Sequence, residues 1–276
     1  METHKVELGG VTLHGYADMP DPFVGLAVTA VNGWRGLPGS RGGNDPIPGA
    51  HGSYEADVLL RESRSIEVRA AAIALSESAA LAMVDEVEAV LAGRPVEMWV
   101  TDAQGAWRRS VEVETVQIVG AYNRDRVQFA IDAFAPDPRR YQAVETVGPV
   151  GLPTLDGGLI LPKAFPWDFG TLNRQVATVH NRGAVPLLPV VTVNGSADEL
   201  IVRGGSFRMV YGEFSGTLVF DSRERRAWLN GGDVTRQMLL RGWPVVQPGE
   251  TAAFDFEVVG GSPGINLTVS YEIGAW

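Results

Sequence analysis

The stretch AFAPDPRRY, residues 133–141, divides this chain of 276 residues and decides how the rest of it is interpreted. An apolar, strand-like run ends here, and Pro136 and Pro138 follow at once. Each proline removes a backbone donor and pushes the residue before it toward extended geometry, so neither a helix nor a paired strand can continue. The stretch therefore predicts the exit from a first domain near residue 141.

The residues before this exit predict a β domain that carries one helix. Alternating apolar and polar residues predict a hairpin over 6–13 and strands at 23–31, 54–60, 64–73, 96–100, 107–119 and 126–134. A serine cap at Ser76 or Ser78, apolar residues every three to four positions and a stop at Gly93 predict one amphipathic helix. Because hairpins connect the strands, a doubly wound parallel sheet is excluded. We expect an antiparallel β-sandwich or barrel with one packed α-helix.

The residues after the exit predict a connector and then a second β domain. Four prolines between 142 and 170, with the aromatic group FPWDFG at 165–170, indicate an extended, semi-rigid connector. Beyond it, short strands are expected at 176–180, 189–193, 200–202, 207–210, 217–220, 227–229, 238–240, 251–258 and 265–272. Such regular spacing is typical of a β-sandwich or jelly roll. The predicted organisation is a domain over 1–141, a connector over 142–170 and a C-terminal sandwich over 171–276.

Composition excludes several classes of function. The net charge of −10 argues against nucleic-acid binding, which needs a cationic surface. The chain has no cysteine, and its four histidines have no metal-ligand spacing, so we expect neither a metal nor another cofactor. No apolar run approaches the ~20 residues of a membrane span, and none follows the N-terminus as a signal peptide would. We expect no membrane association.

One segment matches a catalytic pattern, because GGSPG at 260–264 satisfies G-x-S-x-G. A nucleophile elbow lies between a strand and a helix, and its acid and histidine follow it along the chain. Only twelve residues follow Gly264, and none is a histidine. We interpret the segment as a turn and expect no enzymatic activity.

The long loop over 32–53 holds seven glycines and three prolines. Loops of this length are uncommon in compact domains and are usually functional or disordered. One possibility is a solvated loop; the other is an arm that orders against a neighbouring subunit through apolar anchors. On the second interpretation, the candidate interface residues are Trp34, Arg35, Arg41 and Ile47.

Four tryptophans offer a different function, because flat rings can stack on sugars. They are Trp167, Trp228, Trp243 and Trp276. Tryptophans in β-sandwiches also serve as core or interface residues, and the sequence does not show which of these share a face. Trp228 and Trp243 are the candidates for a carbohydrate or partner site.

A strand ends in residues 134–141, a strand–helix–strand domain precedes it and a Gly/Pro-rich connector follows it. This arrangement resembles the distal tail protein family of bacteriophages with long, non-contractile tails. The run over 216–249, with its Trp243-Pro244 and Pro248-Gly249 pairs, is also similar to the C-terminal domain of that family. The resemblance covers most of the chain.

The resemblance implies a structural, non-enzymatic virion protein of the tail tip, assembled in the host cytoplasm. Its N-terminal domain would close a hexameric ring between the tail tube protein and the tail-tip hub protein, with the long loop lying against the next subunit. Its jelly-roll or galectin-like C-terminal domain would project toward receptor-binding proteins or a host surface glycan. The alternative is a carbohydrate-binding β-sandwich protein, an adhesin or lectin-like module.

Overall fold

The structure is a computed structural model that describes residues 3–15, 19–20, 22–41, 46–51, 53–54, 60–93, 95–119, 125–156 and 171–276. The chain forms two compact units. The first comprises Met1–Ala143 with Ala275–Trp276, and the second comprises Val144–Gly274. The change between units comes two residues after the exit that was predicted at 141.

The first unit is built from ten strands and one helix, in the described part of the chain up to Ala143. In chain order these are β1 Thr3–Leu8, β2 Val11–His14, β3 Gly25–Asn32, β4 Ser40–Arg41, β5 Leu60–Arg61, β6 Arg64–Ile73, α1 Glu77–Leu91, β7 Pro95–Asp102, β8 Gly105–Ile118, β9 Arg126–Ala135 and β10 Arg140–Tyr141. The hairpin of β1 and β2 turns through Gly9 and Gly10, which have φ of 58° and 101°. Both angles lie where glycine is favoured.

The main sheet of this unit closes on itself. Its strand order is β10-β8-β7-β1-β2-β3-β6-β9, and β9 pairs again with β8. The strand Gly274–Ala275, the last of the chain, is at the β10 end of this sheet. The pair β2–β3 is parallel, whereas β6–β9 and β7–β8 are antiparallel. A closed, mainly antiparallel sheet with one helix confirms the fold predicted for this half.

Helix α1 begins where the sequence predicted. The Ser76 hydroxyl accepts a hydrogen bond from the Ala79 backbone N–H at 3.3 Å, and Gly93 has a φ of 82° just beyond the end. The helix packs on β6, β8 and β9. Its buried face consists of Ala80, Val84, Val87 and Leu91. The amphipathic spacing read from the sequence therefore corresponds to real burial.

The second unit has two principal sheets and a short two-stranded one. Its strands are β11 Glu145–Gly151, β12 Thr154–Asp156, β13 Thr171–Asn173, β14 Ala177–His180, β15 Val190–Ala197, β16 Glu199–Gly204, β17 Phe207–Tyr211, β18 Phe214–Asp221, β19 Arg226–Leu229, β20 Gly232–Asp233, β21 Leu240–Arg241, β22 Thr251–Val259 and β23 Asn266–Tyr271, with a 3-10 helix at Thr235–Gln237. The six-stranded sheet runs β11-β23-β15-β18-β19-β20, and the five-stranded sheet runs β14-β22-β16-β17-β21.

Both sheets contribute to the core of the second unit. The six-stranded sheet buries Val191, Val193, Leu218, Phe220, Leu267 and Val269, and the five-stranded sheet buries Val179, Leu200, Val202, Met209, Phe254 and Phe256. Alternate residues of each strand face inward, as they do in two packed antiparallel sheets. The mainly β prediction with a C-terminal sandwich is confirmed.

The predicted connector differs from what is observed. Residues 145–151 form β11, an edge strand of the six-stranded sheet that pairs with β23 and buries Val150. Pro149 concealed this strand in the sequence, since proline is tolerated in strands mainly at sheet edges. The aromatic group at 165–170, including Trp167, lies outside the described residues. Among the described residues, no helix has the length and apolar character needed to cross a bilayer.

Candidate subunit interface and its anchors

The long glycine-rich loop leaves β3 from a fixed base at residues 33–36. Arg64, at the start of β6, donates hydrogen bonds to the carbonyls of Gly33 at 2.7 Å, Arg35 at 3.1 Å and Gly36 at 2.6 Å. One planar guanidinium thus holds three carbonyls of residues 33–36 in one geometry. The loop base is therefore ordered by side chains of the sheet.

Gly33 makes this arrangement possible. Its φ is 74°, and a Cβ added there would lie 2.2 Å from the carbonyl oxygen of Ser65. Any other residue would combine an unfavourable backbone angle with a backbone clash. Gly36 has a φ of 95° but open space around the same position. The two glycines therefore differ in what a side chain would meet.

Arg109 of β8 connects the loop base to the exit stretch. Its guanidinium carbon lies 4.4 Å from the centre of the Trp34 ring, and its Nη1 donates to the Trp34 carbonyl at 2.5 Å. Its Nε donates to the Arg139 carbonyl at 3.3 Å. Arg109 is only 1% exposed and Trp34 only 2%. Cation–π contact and charge-assisted hydrogen bonds together fix both chain segments to one strand.

Arg35 turns toward the hairpin between β7 and β8. Its Nη2 donates to Asp102 Oδ2 at 2.5 Å, and its Nη1 donates to Gln104 Oε1 at 2.7 Å. The second oxygen of Asp102 accepts from the Gln104 backbone N–H at 2.8 Å. Asp102 is only 4% exposed, and these hydrogen bonds compensate its charge inside the unit.

The exit stretch carries a second stacked pair and a small ionic group. The Arg140 guanidinium lies 4.9 Å from the Trp107 ring centre. Asp137 accepts from the Arg139 side chain at 2.8 Å and from the Tyr141 hydroxyl at 2.9 Å. Burial by itself would raise the pKa of Asp137, but hydrogen bonds from Arg139 and Tyr141 outweigh it and hold that pKa below its usual value.

We call these residues together the loop-base cluster. Its members are Trp34, Arg35, Arg64, Asp102, Trp107, Arg109 and Arg140. It holds four arginines and one carboxylate, so positive charges lie close together in a poorly solvated place. Burial, and then repulsion from Arg64 and Arg140, lowers the pKa of Arg109 to about 9. Burial also lowers the pKa of Arg64, and burial followed by repulsion from Arg35 lowers that of Arg140.

The loop-base cluster also contains more donors than partners. Seven of its buried nitrogen atoms have no hydrogen-bond acceptor in the described part of the chain: Trp34 Nε1, Arg35 Nε, Arg64 Nε, Trp107 Nε1, Arg109 Nη2, and Arg140 Nε and Nη1. Unpaired buried donors are uncommon and costly.

The structure places the four predicted interface residues in different surroundings. Trp34 lies inside the unit, so its ring anchors the loop and is not presented to a neighbour. Arg35 is half-buried and paired with Asp102. Arg41 is exposed in β4, opposite Leu60 of β5, and Ile47 is half-buried and accepts a backbone bond from Ala50. Residues 42–45 and 52 of the loop lie outside the described residues, and so do residues 55–59 of the strand predicted at 54–60.

Apolar side chains are exposed along the described part of this loop. Leu37 is 59% exposed, Tyr54 57% and Leu60 57%. Apolar exposure concentrated in one segment is a property of interaction surfaces. We call Leu37, Arg41, Ile47, Tyr54 and Leu60 the arm surface.

The two candidate tryptophans of the second unit belong to different sheets. Trp228 is in β19 of the six-stranded sheet, where Ala227 points inward and Arg226 lies 5.9 Å from the Trp228 ring centre. Trp243 follows β21 of the five-stranded sheet and lines a groove there with Phe207 and Arg208. Each ring is half-buried.

Sequence reasoning missed Arg64, Trp107, Arg109 and Arg140. The signal was present in the strand pattern, because Trp107, Arg109 and Val111 occupy alternate positions and all three are buried. Alternation would have placed Arg109 on the inward face. An arginine on that face was unexpected because charged residues are rarely buried without a carboxylate.

The G-x-S-x-G segment is a turn between two strands, β22 and β23. The Ser262 hydroxyl accepts from the Ser196 backbone N–H at 3.0 Å, and the Ser262 N–H donates to the Ser196 carbonyl at 2.8 Å. No helix follows it, so the geometry of a nucleophile elbow is missing. Within the described ranges, no group of three or more histidine, aspartate or glutamate residues could hold a metal ion.

Comparison with solved structures shows the same fold in phage proteins. The Dit protein (gp 19.1) of phage SPP1, described as a paradigm of hub adsorption apparatus in phages that infect Gram-positive hosts, matches with a TM-score of 0.66 and 15% identity over 98% of each chain. A chain of the phage p2 baseplate in its activated conformation, seen with strontium and with calcium, matches with a TM-score of 0.53 and 8% identity over at least 98% of each chain. No model of a protein family and no curated protein matches the sequence. The chain thus has, over its whole length, the fold found in hub and baseplate proteins of phage tails.

Proposed function

We propose that this chain is a structural protein of a phage tail tip, a distal tail protein without enzymatic activity. The observation that carries the proposal is the likeness of the whole chain, both units included, to a hub protein and a baseplate protein. A shared sandwich alone would be weak support, since one fold hosts many functions. A match over 98% of each chain includes the order and sizes of both units.

In this proposal the first unit forms a closed, hexameric ring that joins the tail tube protein to the tail-tip hub protein. A ring needs a heterologous interface, and the rotation that relates neighbouring subunits must bring the last subunit back to the first. The arm surface supplies one side of it, because its base is fixed by the loop-base cluster while Leu37, Tyr54 and Leu60 remain exposed. A rigid base matters because ordering a loop on binding costs free energy.

The second unit is proposed to face outward, toward receptor-binding proteins or a host surface glycan. The alternative, a carbohydrate-binding protein that acts alone, loses its main support because Trp228 and Trp243 are on different sheets. A single half-buried ring offers much less stacking area than a platform of two.

The mass and shape of the purified chain test this proposal. Light scattering should give roughly six times 29.6 kDa, and negative-stain images should show rings. The variant Arg41→Asp with Ile47→Asp should reduce the mass toward one subunit, because it places two charges on the arm surface. A matched control, Arg225→Asp with Val259→Asp, makes the same kinds of change on exposed positions of the second unit and should keep the ring.

Two results would contradict the proposal. A monomer at every protein concentration would argue against a ring that closes through the subunit's own surfaces. A ring that survives the Arg41 and Ile47 changes but is lost in the control would move the interface away from the arm surface.

A further inference from the structure

Among the residues that the structure describes, no strand pairs with one edge of the five-stranded sheet. The short strand β21 is last in the order and pairs with β17 on one side, Leu240 opposite Val210 and Arg241 opposite Met209. The Gly242 N–H donates to the Arg208 carbonyl at 3.0 Å. In an antiparallel pair, successive residues alternately direct their backbone groups at the partner and away from it. Arg241 therefore directs its N–H and C=O toward the open side, where another strand can pair with them.

Apolar side chains surround this open edge. Leu239 is 67% exposed, Leu240 45% and Val245 38%. A groove of about 620 Å³ runs beside the edge and is lined by Phe207 and Trp243 together with Leu240 and Val245. The Phe207 ring packs on that of Phe254, with 4.9 Å between the two ring centres. Exposed apolar side chains that border a groove indicate a binding surface.

The charges at this edge are mainly positive. Arg208 and Arg241 line the groove, and Arg236 is exposed on the adjoining 3-10 helix. The acid that lines the groove, Glu250, accepts from the Gln247 backbone N–H at 2.8 Å and so takes part in its own turn. The chain as a whole has a net charge of −10. An acidic partner is therefore repelled by the chain as a whole and attracted here.

Protection of the edge against aggregation explains only part of this pattern. Natural sheets do blunt their edges with short strands and with basic side chains, and β21 with Arg241 fits that description. Protection gives no reason, however, for exposing Leu239, Leu240 and Val245 at the same place, because apolar side chains make an edge more adhesive. The combination of apolar and basic residues favours a specific partner.

We propose that this edge, formed by Arg208, Leu240, Arg241, Trp243 and Val245, docks an extended acidic segment of another protein. The segment adds to β21 as a further strand, so that its backbone pairs with that of Arg241. Its acidic side chains meet Arg241 on one face of the sheet and Arg208 on the other, and its apolar side chains lie on Leu240 and Trp243. The site does not depend on ring formation, and its failure would leave the tail-tip proposal unaffected.

Peptide selection on the full chain tests the site. A library of random decapeptides is displayed and selected on the immobilised protein, and an enriched peptide is then titrated by fluorescence anisotropy. Enriched sequences should be rich in acidic residues and should also contain apolar ones. Arg208→Glu with Arg241→Glu should weaken binding by about tenfold or more, since two attractions become repulsions. Hydrogen exchange at the Arg241 amide should slow in the complex.

A matched control carries the same charge change elsewhere on the second unit. Arg225→Glu with Arg226→Glu alters two exposed arginines at β19 and should leave binding within about twofold of the original. If the Arg208 and Arg241 pair of changes to Glu prevents folding, Arg208→Gln with Arg241→Gln replaces it, with an expected loss of about threefold or more. Circular dichroism verifies the fold of each variant.

Several results would overturn the proposal. These are no enrichment at all, enrichment of basic or uncharged peptides, and equal binding to the Arg208 and Arg241 variant. Self-association of the chain through this edge, lost in that variant, would make the occupant a second copy. Binding of glycans in a screen, lost in Trp243→Ala, would make the groove a sugar site.

Discussion

Arg109 in the first unit and Arg203 in the second are both in the middle of β-sheets, but their surroundings are opposite. Arg109 is 1% exposed, has carbonyl oxygens and a tryptophan ring as partners, and has a lowered pKa. The Arg203 side chain is 37% exposed and bonds Asp255 at 2.8 Å and Glu257 at 2.5 Å, and its pKa is raised by its hydrogen bond to Asp255.

The difference shows that burial, and not the number of ionic partners, decides what each arginine contributes. An exposed pair gains little because water and salt screen it. A buried guanidinium has already lost its water, so the geometry around it must be kept. Burying Arg109 costs desolvation free energy. This cost arises at the place where Arg109 holds the glycine-rich loop and the exit stretch together.

The largest expected effect is at Arg109. Arg109→Ala removes the donors to a buried carbonyl at Trp34 and a part-buried one at Arg139, at about 1–3 kcal/mol each, and leaves a cavity beside Trp34. The local free energy of opening of β8, measured by hydrogen exchange, should fall by about 3 kcal/mol or more. Arg109→Met keeps much of the side-chain volume and removes the repulsion from Arg64 and Arg140, so the free energy of opening should fall less than in Arg109→Ala. If Ala and Met behave alike, packing around Trp34 does not contribute.

A smaller loss is expected at Gly33. Gly33→Ala and Gly36→Ala both force a side chain into a positive φ, at about 1–3 kcal/mol. Only Gly33 adds a clash with the Ser65 carbonyl, at 2.2 Å. Hydrogen exchange of β3 and β6 should show a loss for Gly33→Ala that exceeds the loss for Gly36→Ala by about 1 kcal/mol or more. Equal losses would mean that the loop base can move away from β6.

Removal of Arg203 should change stability much less. Arg203→Ala breaks two surface pairs, each of which contributes less than about 1 kcal/mol. The exchange of β16 amides should therefore change little, and the change should shrink further in 0.5 M salt, since the Debye length is then only a few Å. A loss as large as that of Arg109→Ala would refute the role assigned to burial.

The smallest effect is a pH dependence at Asp137. Its pKa is lower in the folded chain than its unfolded value of about 3.9. Its contribution to stability is therefore fully present above about pH 4 and is lost as the pH falls through the lower, folded value. Asp137→Asn should make the melting temperature less dependent on pH below about 4. An unchanged acid profile would show that Arg139 and Tyr141 do not hold the carboxylate.

The sequence predicted the fold well because its main signals are local. The cap at Ser76, the glycine pair at Gly9 and Gly10 and the two-residue alternation of the strands each depend on near neighbours. Pro136 and Pro138 correctly marked the end of a strand, since β9 ends at Ala135. Pro149 was interpreted as part of a connector, but β11 continues through it. A proline is tolerated there because β11 is at the edge of its sheet.

The site was less predictable because it depends on distant contacts. Trp34 and Arg109 are 75 positions apart, and no residue near Arg109 in the sequence indicates that its partner is a carbonyl in the loop. The same holds for Trp228 and Trp243, whose separation on two sheets is a matter of topology. The prediction that the arm surface contacts a neighbouring subunit stays a prediction.

The last strand also has a consequence for biosynthesis. The chain leaves the first unit at Ala143 and returns to it at Ala275, so the second unit is an insertion in topological terms. Residues 274–275 must therefore have left the ribosome before the first unit can gain the strand that they form. The second unit can fold earlier, since domains generally fold as units during synthesis. Completion of the first unit therefore follows the synthesis of the whole second unit.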